Sequence, residues 1–227
     1  MSKRSLLLSV LLLALPAYGM GESPIVLLPK QKSKGSVSVE EALASRRTRR
    51  DFQAEPLSLE ELAQLLWAAQ GITGSDGFLR AAPSAGALYP LDCYAVVGAA
   101  SVNGLDAGAY RYLPSKHGLE LVKSGDLREA LAKASLRQMW MAGAPVSLVL
   151  TAEYARIEGK YGSRGRRYAL IEAGHAGQNI FLQAEALGLA AGIVGAFDDA
   201  RLTSVLQLPS GHEPLLVMPV GHPRKSR

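Results

Sequence analysis

The chain has 227 residues, 48% of them hydrophobic, a formal charge of +5 and a single cysteine, Cys93. That length supports one substantial core, or a subunit that completes its core on a second copy. The modest charge, with no aromatic-interleaved basic patch, argues against a nucleic-acid partner. The lone cysteine excludes a disulfide framework and a cysteine-rich metal site.

Lys3 and Arg4 precede the apolar run Leu6 to Leu15, Pro16 ends it, and Ala17-Tyr18-Gly19 places small residues at a cleavage point. This is the layout of a secretory signal peptide over residues 1–19, and the run is too short to span a bilayer comfortably. The expectation is an exported, periplasmic protein with no stable membrane insertion after processing; a retained anchor is the alternative. Residues 20–37 are rich in proline, lysine and serine and read as an extended leader, leaving 38–227 as one domain.

Ser38-Val39-Glu40-Glu41 and Ser58-Leu59-Glu60-Glu61 are capping boxes, each opening a helix. The first helix is short and runs into Arg46-Arg47-Thr48-Arg49-Arg50-Asp51-Phe52. The second turns Leu59, Leu62, Leu65, Leu66 and Ala69 toward a core, and Gly71 closes it. Residues 71–90 are loop-like. A strand follows at 92–98, then a hairpin pairing 109–113 with 119–122. Asp126 is placed as the cap of a helix through Leu131, with a second helical piece around 136–142. Pro145 to Ala152 reads as a strand buried on both faces.

Tyr168 to Gly188 is the central helix. At helical spacing Glu172, His175, Asn179 and Gln183 form a narrow polar stripe, and most of the remaining girth is apolar, which predicts burial. Ala173, Gly174, Gly177, Ala184 and Gly188 gather on one side, a face suited to close approach by another backbone, including that of a second subunit. A short strand at 191–197, a helix at 199–206 and a last strand at 215–220 complete an α+β domain without repeats.

The arginine cluster reads either as a solvated basic turn or as an anion site, because guanidinium forks and a hydroxyl suit a phosphate monoester. No GxGxxG or GxxxxGK[ST] motif offers another phosphate site. Taken with later stretches, the cluster resembles the opening motif of the flavin-dependent nitroreductase superfamily. Residues 83–90 (PSAGALYP), 172–179 (EAGHAGQN), 192–199 (GIVGAFDD) and 219–223 (PVGHP) resemble its SagB-type dehydrogenase branch, related to thiazoline and oxazoline oxidases.

The resemblance implies a central, mostly antiparallel sheet flanked by helices, a homodimer, and FMN in an interface cleft. It implies that Arg46, Arg47, Thr48 and Arg50 hold the FMN phosphate and ribityl chain, with Arg224 adding to them. Pro83, Ser84, Ala85 and Gly86 would line the flavin, and Val194 and Gly195 would lie against its ring system with a backbone N–H near N5. Lys160 and Tyr161 resemble the catalytic pair of azoline-oxidising relatives, assisting proton removal; packing on the cleft is the alternative for both. The implied function is hydride transfer between a small organic or peptide substrate and FMN. The alternatives are an NAD(P)H-dependent nitroreductase or quinone-type reductase, or a non-catalytic flavin- or peptide-binding module. His175 reads as a hydrogen-bonded core histidine with Glu172 as its partner. His212 and His222 read as surface or loop residues, and Cys93 as an inert core thiol. No histidine, cysteine or carboxylate spacing predicts a metal.

Overall fold

The computed structural model describes residues 25–75 and 77–224. Seven strands, β1 (Ile25–Leu27), β2 (Leu91–Val97), β3 (Gly108–Leu113), β4 (Gly118–Ser124), β5 (Val146–Glu153), β6 (Ala190–Ala191) and β7 (His212–Gly221), form one sheet. Its order is β1-β4-β3-β2-β5-β7-β6, and every pairing between neighbours is antiparallel. Helices α1 (Val39–Ser45), α2 (Leu59–Gln70), α3 (Arg128–Ala134), α4 (Ala155–Tyr161), α5 (Arg164–Ala186) and α6 (Asp199–Leu206) flank it. This is the α+β architecture the sequence implies.

Strand β5 lies between β2 and β7, and all its residues but Glu153 are buried. Strand periodicity sends alternate side chains to opposite faces. Leu148 and Leu150 accordingly join the core beneath α2 and α5, with Leu62, Leu66 and Ile180. Val149 faces the other way and joins Tyr94, Leu131, Leu202 and Val217 under α3 and α6.

Both capping boxes form. Ser38 Oγ accepts from the Glu41 N–H and Glu41 Oε2 accepts from the Ser38 N–H; Ser58 and Glu61 repeat the exchange. Gly71 closes α2, but at an ordinary φ of −68°. Its requirement is space, since a Cβ there would stand 2.2 Å from Cδ1 of Trp67.

Other elements depart from expectation. Asp126 is not the cap residue of α3; its carboxylate accepts the backbone N–H groups of Arg128 and Ala99 from just outside the helix. Those bonds and the Arg128 guanidinium bring its pKa down to about 2. The helical piece at 136–142 is instead a left-handed pair, Leu136 and Arg137 (φ 53° and 61°), followed by a 3-10 turn at Met139–Gly143. Of the short strand at 191–197 only Ala191 lies in β6, with Val194 forming an isolated bridge to Val217.

Helix α5 begins one turn earlier than its hydrophobic pattern suggests, because Gly162 (φ 55°) makes the only break after α4. It is buried on one side alone: Leu170 and Ile171 remain 53% and 47% exposed. Its buried small residues face the sheet of the same chain, with a Cβ on Gly177 3.3 Å from Leu216 of β7, while Gly174 is open.

The stretch read as a leader joins the sheet. Ile25 to Leu27 pair with β4, Leu28 is buried, and the Gln64 side chain bonds both the N–H and C=O of Lys32. His117 bridges the Pro29 carbonyl and the Tyr112 hydroxyl at 2.9 Å each. The segment read as a signal peptide lies outside the described residues. Leu28→Ala should cost about 2 kcal/mol and lower Tm by roughly 4–8 °C. An unchanged melting curve would show that the leader does not pack as described.

Candidate active site

The loop after Arg80 carries unusual backbone. Gly86, Ala87 and Tyr89 all have positive φ (62°, 51° and 47°), and two of them are not glycine. Such conformations persist only when surrounding contacts impose them, and they concentrate at functional sites. Here Ser84 Oγ accepts the Tyr89 N–H at 2.9 Å. The Tyr89 hydroxyl accepts the Arg80 N–H at 3.1 Å, and the Arg80 guanidinium stacks over the Tyr89 ring at 4.3 Å.

Lys160 and Tyr161, at the C-terminal end of α4, converge on this loop. A Cβ on Gly86 would lie 2.8 Å from Tyr161 Oη and 3.0 Å from Lys160 Nζ. Tyr161 in turn packs edge-on against Tyr168 of α5. A cavity of about 280 Å³ opens between Pro83, Ser84 and Ala85 and the α5 residues Tyr168, Ile171, Glu172 and His175.

The polar stripe of α5 divides by function. Asn179 donates to the Ala68 and Ala81 carbonyls, and Gln183 accepts from Gln64. Glu172 is 1% exposed; Gln70 donates to its Oε1 at 3.4 Å, and its Oε2 has no partner. Burial raises the Glu172 pKa, against the opposing influence of Ser84, Gln70 and Arg80. His175, expected in the core, is exposed at the cavity rim instead.

The arginine cluster lies elsewhere. Thr48 bridges Ala191, and the Arg49 N–H donates to the Ala191 carbonyl at 2.8 Å, which pins the cluster along β6. Gly192 completes the close approach: a Cβ there would meet the Arg49 carbonyl and the Trp140 ring at 2.8 Å. Arg46 lies over the Phe181 ring and Arg50 over Trp140. Arg47 donates to the Ala44 and Arg46 carbonyls, closing the end of α1. Among the described residues none of Arg46, Arg47, Arg49 and Arg50 has an ion-pair partner, and the adjacent Asp51 is engaged by Arg224 at 3.5 Å. Val194 exchanges both backbone bonds with Val217, while Gly195 is exposed with nothing within 4 Å of a Cβ position.

The chain therefore gathers Pro83 to Gly86 with Lys160 and Tyr161, and separately gathers Arg46 to Arg50 with Arg224. The two groups attach to α5 around Glu172 and Phe181, roughly 13 Å apart along the helix.

A model described as the nitroreductase family matches residues 43–222. The chain belongs to the nitroreductase family. It is therefore an oxidoreductase by family. It is 40% identical over 202 residues to a nitroreductase-named protein of Methanocaldococcus jannaschii, covering 89% of this chain and 98% of that one. A crystal structure of a nitroreductase-named protein from Ralstonia eutropha superposes with a TM-score of 0.76 at 30% identity, covering 95% and 96% of the two chains. The microcin B17-processing protein of Escherichia coli is 28% identical over 155 residues, 67% of this chain and 57% of that protein.

Reading the sequence of this nitroreductase-family chain missed one polar centre. Asp92, Glu153 and His212 bring ligand atoms within 4.8 Å of one another. His212 is no surface residue; its side chain is 7% exposed and its Nε2 lies 2.9 Å from Asp92. Arg156 already supplies the positive charge, binding Asp92 through two nitrogens and Glu153 at 2.6 Å. The signal was the β5–β7 register, which sets Glu153 opposite His212 and is invisible to sequence spacing. Burial works against the Asp92 charge, but Arg156 and His212 outweigh it and hold the pKa below the usual value. A depressed carboxylate pKa contributes stability above its unfolded value, and that contribution is lost as pH falls through the folded value. Asp92→Asn should thus cost about 2 kcal/mol near pH 7 and progressively less as the pH falls below the ordinary aspartate range, as read by urea unfolding across that range. A pH-independent deficit would contradict this.

Proposed function

We propose that this protein is an FMN-dependent dehydrogenase of the SagB type, taking a hydride from a small organic or peptide substrate. The observation that carries the reading is the convergence of Lys160 and Tyr161 on Gly86, in a strained loop beside a small cavity. The residues fit the cofactor. An unpaired guanidinium cluster suits a phosphate dianion. The Val194 N–H is committed to Val217, which leaves the N–H of Gly195 as the donor toward the flavin ring.

Bound FMN supplies a two-electron hydride acceptor. Arg46, Thr48 and Arg50, with Arg224, would hold its phosphate end, and Pro83 to Gly86 would wall its ring. Oxidation removes a hydride and a proton from the substrate. Lys160 Nζ takes the proton, and the Tyr161 hydroxyl orients the group that loses it. Lys160 is exposed in the single chain, so the dry environment expected for a base requires cover by ligand or by a second subunit. The exposed Leu170 and Ile171 on α5 support a homodimer as that cover. The relation to a microcin-processing protein supports a peptide among the substrates. Export, from the residue 1–19 pattern, is part of the proposal and favours an electron acceptor other than NAD(P).

The nitroreductase-named relative in Methanocaldococcus jannaschii favours a second reading, a reductase that we take to be driven by NAD(P)H. Stopped-flow mixing separates the two. The dehydrogenase should retain about one FMN per chain after gel filtration, and NADPH should reduce that flavin slowly. With an oxidisable substrate, Lys160→Met should lower turnover at least about 100-fold with flavin content unchanged. Rapid reduction by NADPH, or full activity of the variant, would favour the reductase.

A further inference from the structure

We propose that Glu172 is a positioning residue for the Pro83–Tyr89 loop, acting through Ser84 and Gln70 to hold Gly86 beneath Lys160 and Tyr161. Glu172 touches neither of the two. Its buried carboxyl instead anchors both flanks of the loop that receives them.

On one flank Ser84 lies beside Glu172 and accepts the Tyr89 N–H, which closes the loop across its three positive-φ residues. On the other flank Gln70 is 1% exposed; it donates to Glu172 and accepts from Arg80 Nη1 at 2.9 Å. Arg80 returns to the loop twice, through its N–H to the Tyr89 hydroxyl and through its guanidinium on the Tyr89 ring. The bonds joining Glu172, Gln70, Arg80, Tyr89 and Ser84, with Ser84 lying beside Glu172, thus surround a strained turn. A fully buried carboxylate is costly unless its neighbours are arranged for it. The second carboxylate oxygen is buried without a hydrogen-bond partner, and the residue lines the cavity beside Ser84.

The charges around Glu172 are few. Arg80 acts on it from the loop, with Tyr89, Asp92 and Arg156 acting on Arg80 beyond. His175 and Tyr168 share the cavity from its own helix, and Gln70 of α2 is neutral. The ionised carboxylate accepts a stronger bond from Gln70 than the neutral acid does, and its charge is favoured by Ser84 and Arg80 beside it. Protonation weakens that hold and loosens the loop. Burial raises the Glu172 pKa, so the loosening occurs at a milder pH than for an ordinary glutamate.

The inference rests on the FMN reading for its functional consequence, and the test separates the two. Hydrogen exchange of residues 80–90 is measured first on the full mature chain without flavin, for the wild type, Glu172→Gln and Glu172→Leu. The leucine variant should exchange this loop at least about tenfold faster, with the β5 and β7 amides unchanged. The glutamine variant, a neutral isostere of the protonated acid, should exchange the loop at a rate between those of the wild type and the leucine variant. FMN affinity by fluorescence quenching is then followed from about pH 8 to about pH 5. On acidification wild-type affinity should weaken severalfold more than that of Glu172→Gln, whose remaining slope reports the flavin phosphate's own protonation. Equal loop exchange in all three proteins, or loss of protection throughout the leucine variant, would overturn the positioning role. So would the same pH dependence of affinity in Glu172→Gln as in the wild type. Absence of FMN binding by the wild type with the exchange result intact would overturn the flavin reading and leave the loop anchoring standing.

Discussion

Helix α5 lies against β7 through residues too small to hold it away, and both parts of the candidate site depend on that contact. Gly177 is the tightest point, where one added methyl group would press on Leu216 and approach Met218. From this seat the N-terminal half of the helix presents Tyr168, Glu172 and His175 to the loop at 83–89, and Phe181 sits beneath Arg46. A rigid rod of known rise sets the separation of the two groups. A shift of α5 by one turn would dismantle both.

Electrostatics divides the molecule into satisfied and unsatisfied charge. At Asp92, carboxylates, guanidinium and imidazole neutralise one another within a mostly buried network, so the site stiffens the β2–β5–β7 junction. At Arg46 to Arg50 the opposite holds. Four arginines follow one another along one edge; rings lie under Arg46 and Arg50, and among the described residues none of the four pairs with a carboxylate. Cations left unpaired repel one another, and a bound anion relieves that repulsion. The contrast is one of balance: the Asp92 network is neutralised from within, and the arginine cluster offers a site for an anion.

Local chemistry was legible in the sequence, and tertiary geometry was not. The two capping boxes, the buried β5 run and helix α6 follow from signals a few residues long, and each forms where expected. The ends of α5 were harder, because Gly162 sets its start by backbone conformation and not by hydrophobicity. Its apolar girth suggested burial all round, yet the sheet and α2 cover one side only. Lys160, Tyr161 and Pro83 to Gly86 were each visible as motifs, but their meeting depends on α4 folding back across α5. His212 was misplaced for the same reason: only strand register reveals Asp92 as its neighbour.

The most direct measurement compares the affinities of FMN and riboflavin for the purified protein. The two differ only in the phosphate, so the comparison isolates the guanidinium cluster and Arg224 from contacts to the ring. Anchoring by that cluster predicts that FMN binds at least about 100-fold more tightly at low salt, with the gap narrowing as salt rises. Equal affinities, or an FMN preference indifferent to salt, would contradict an anion site at Arg46 to Arg50.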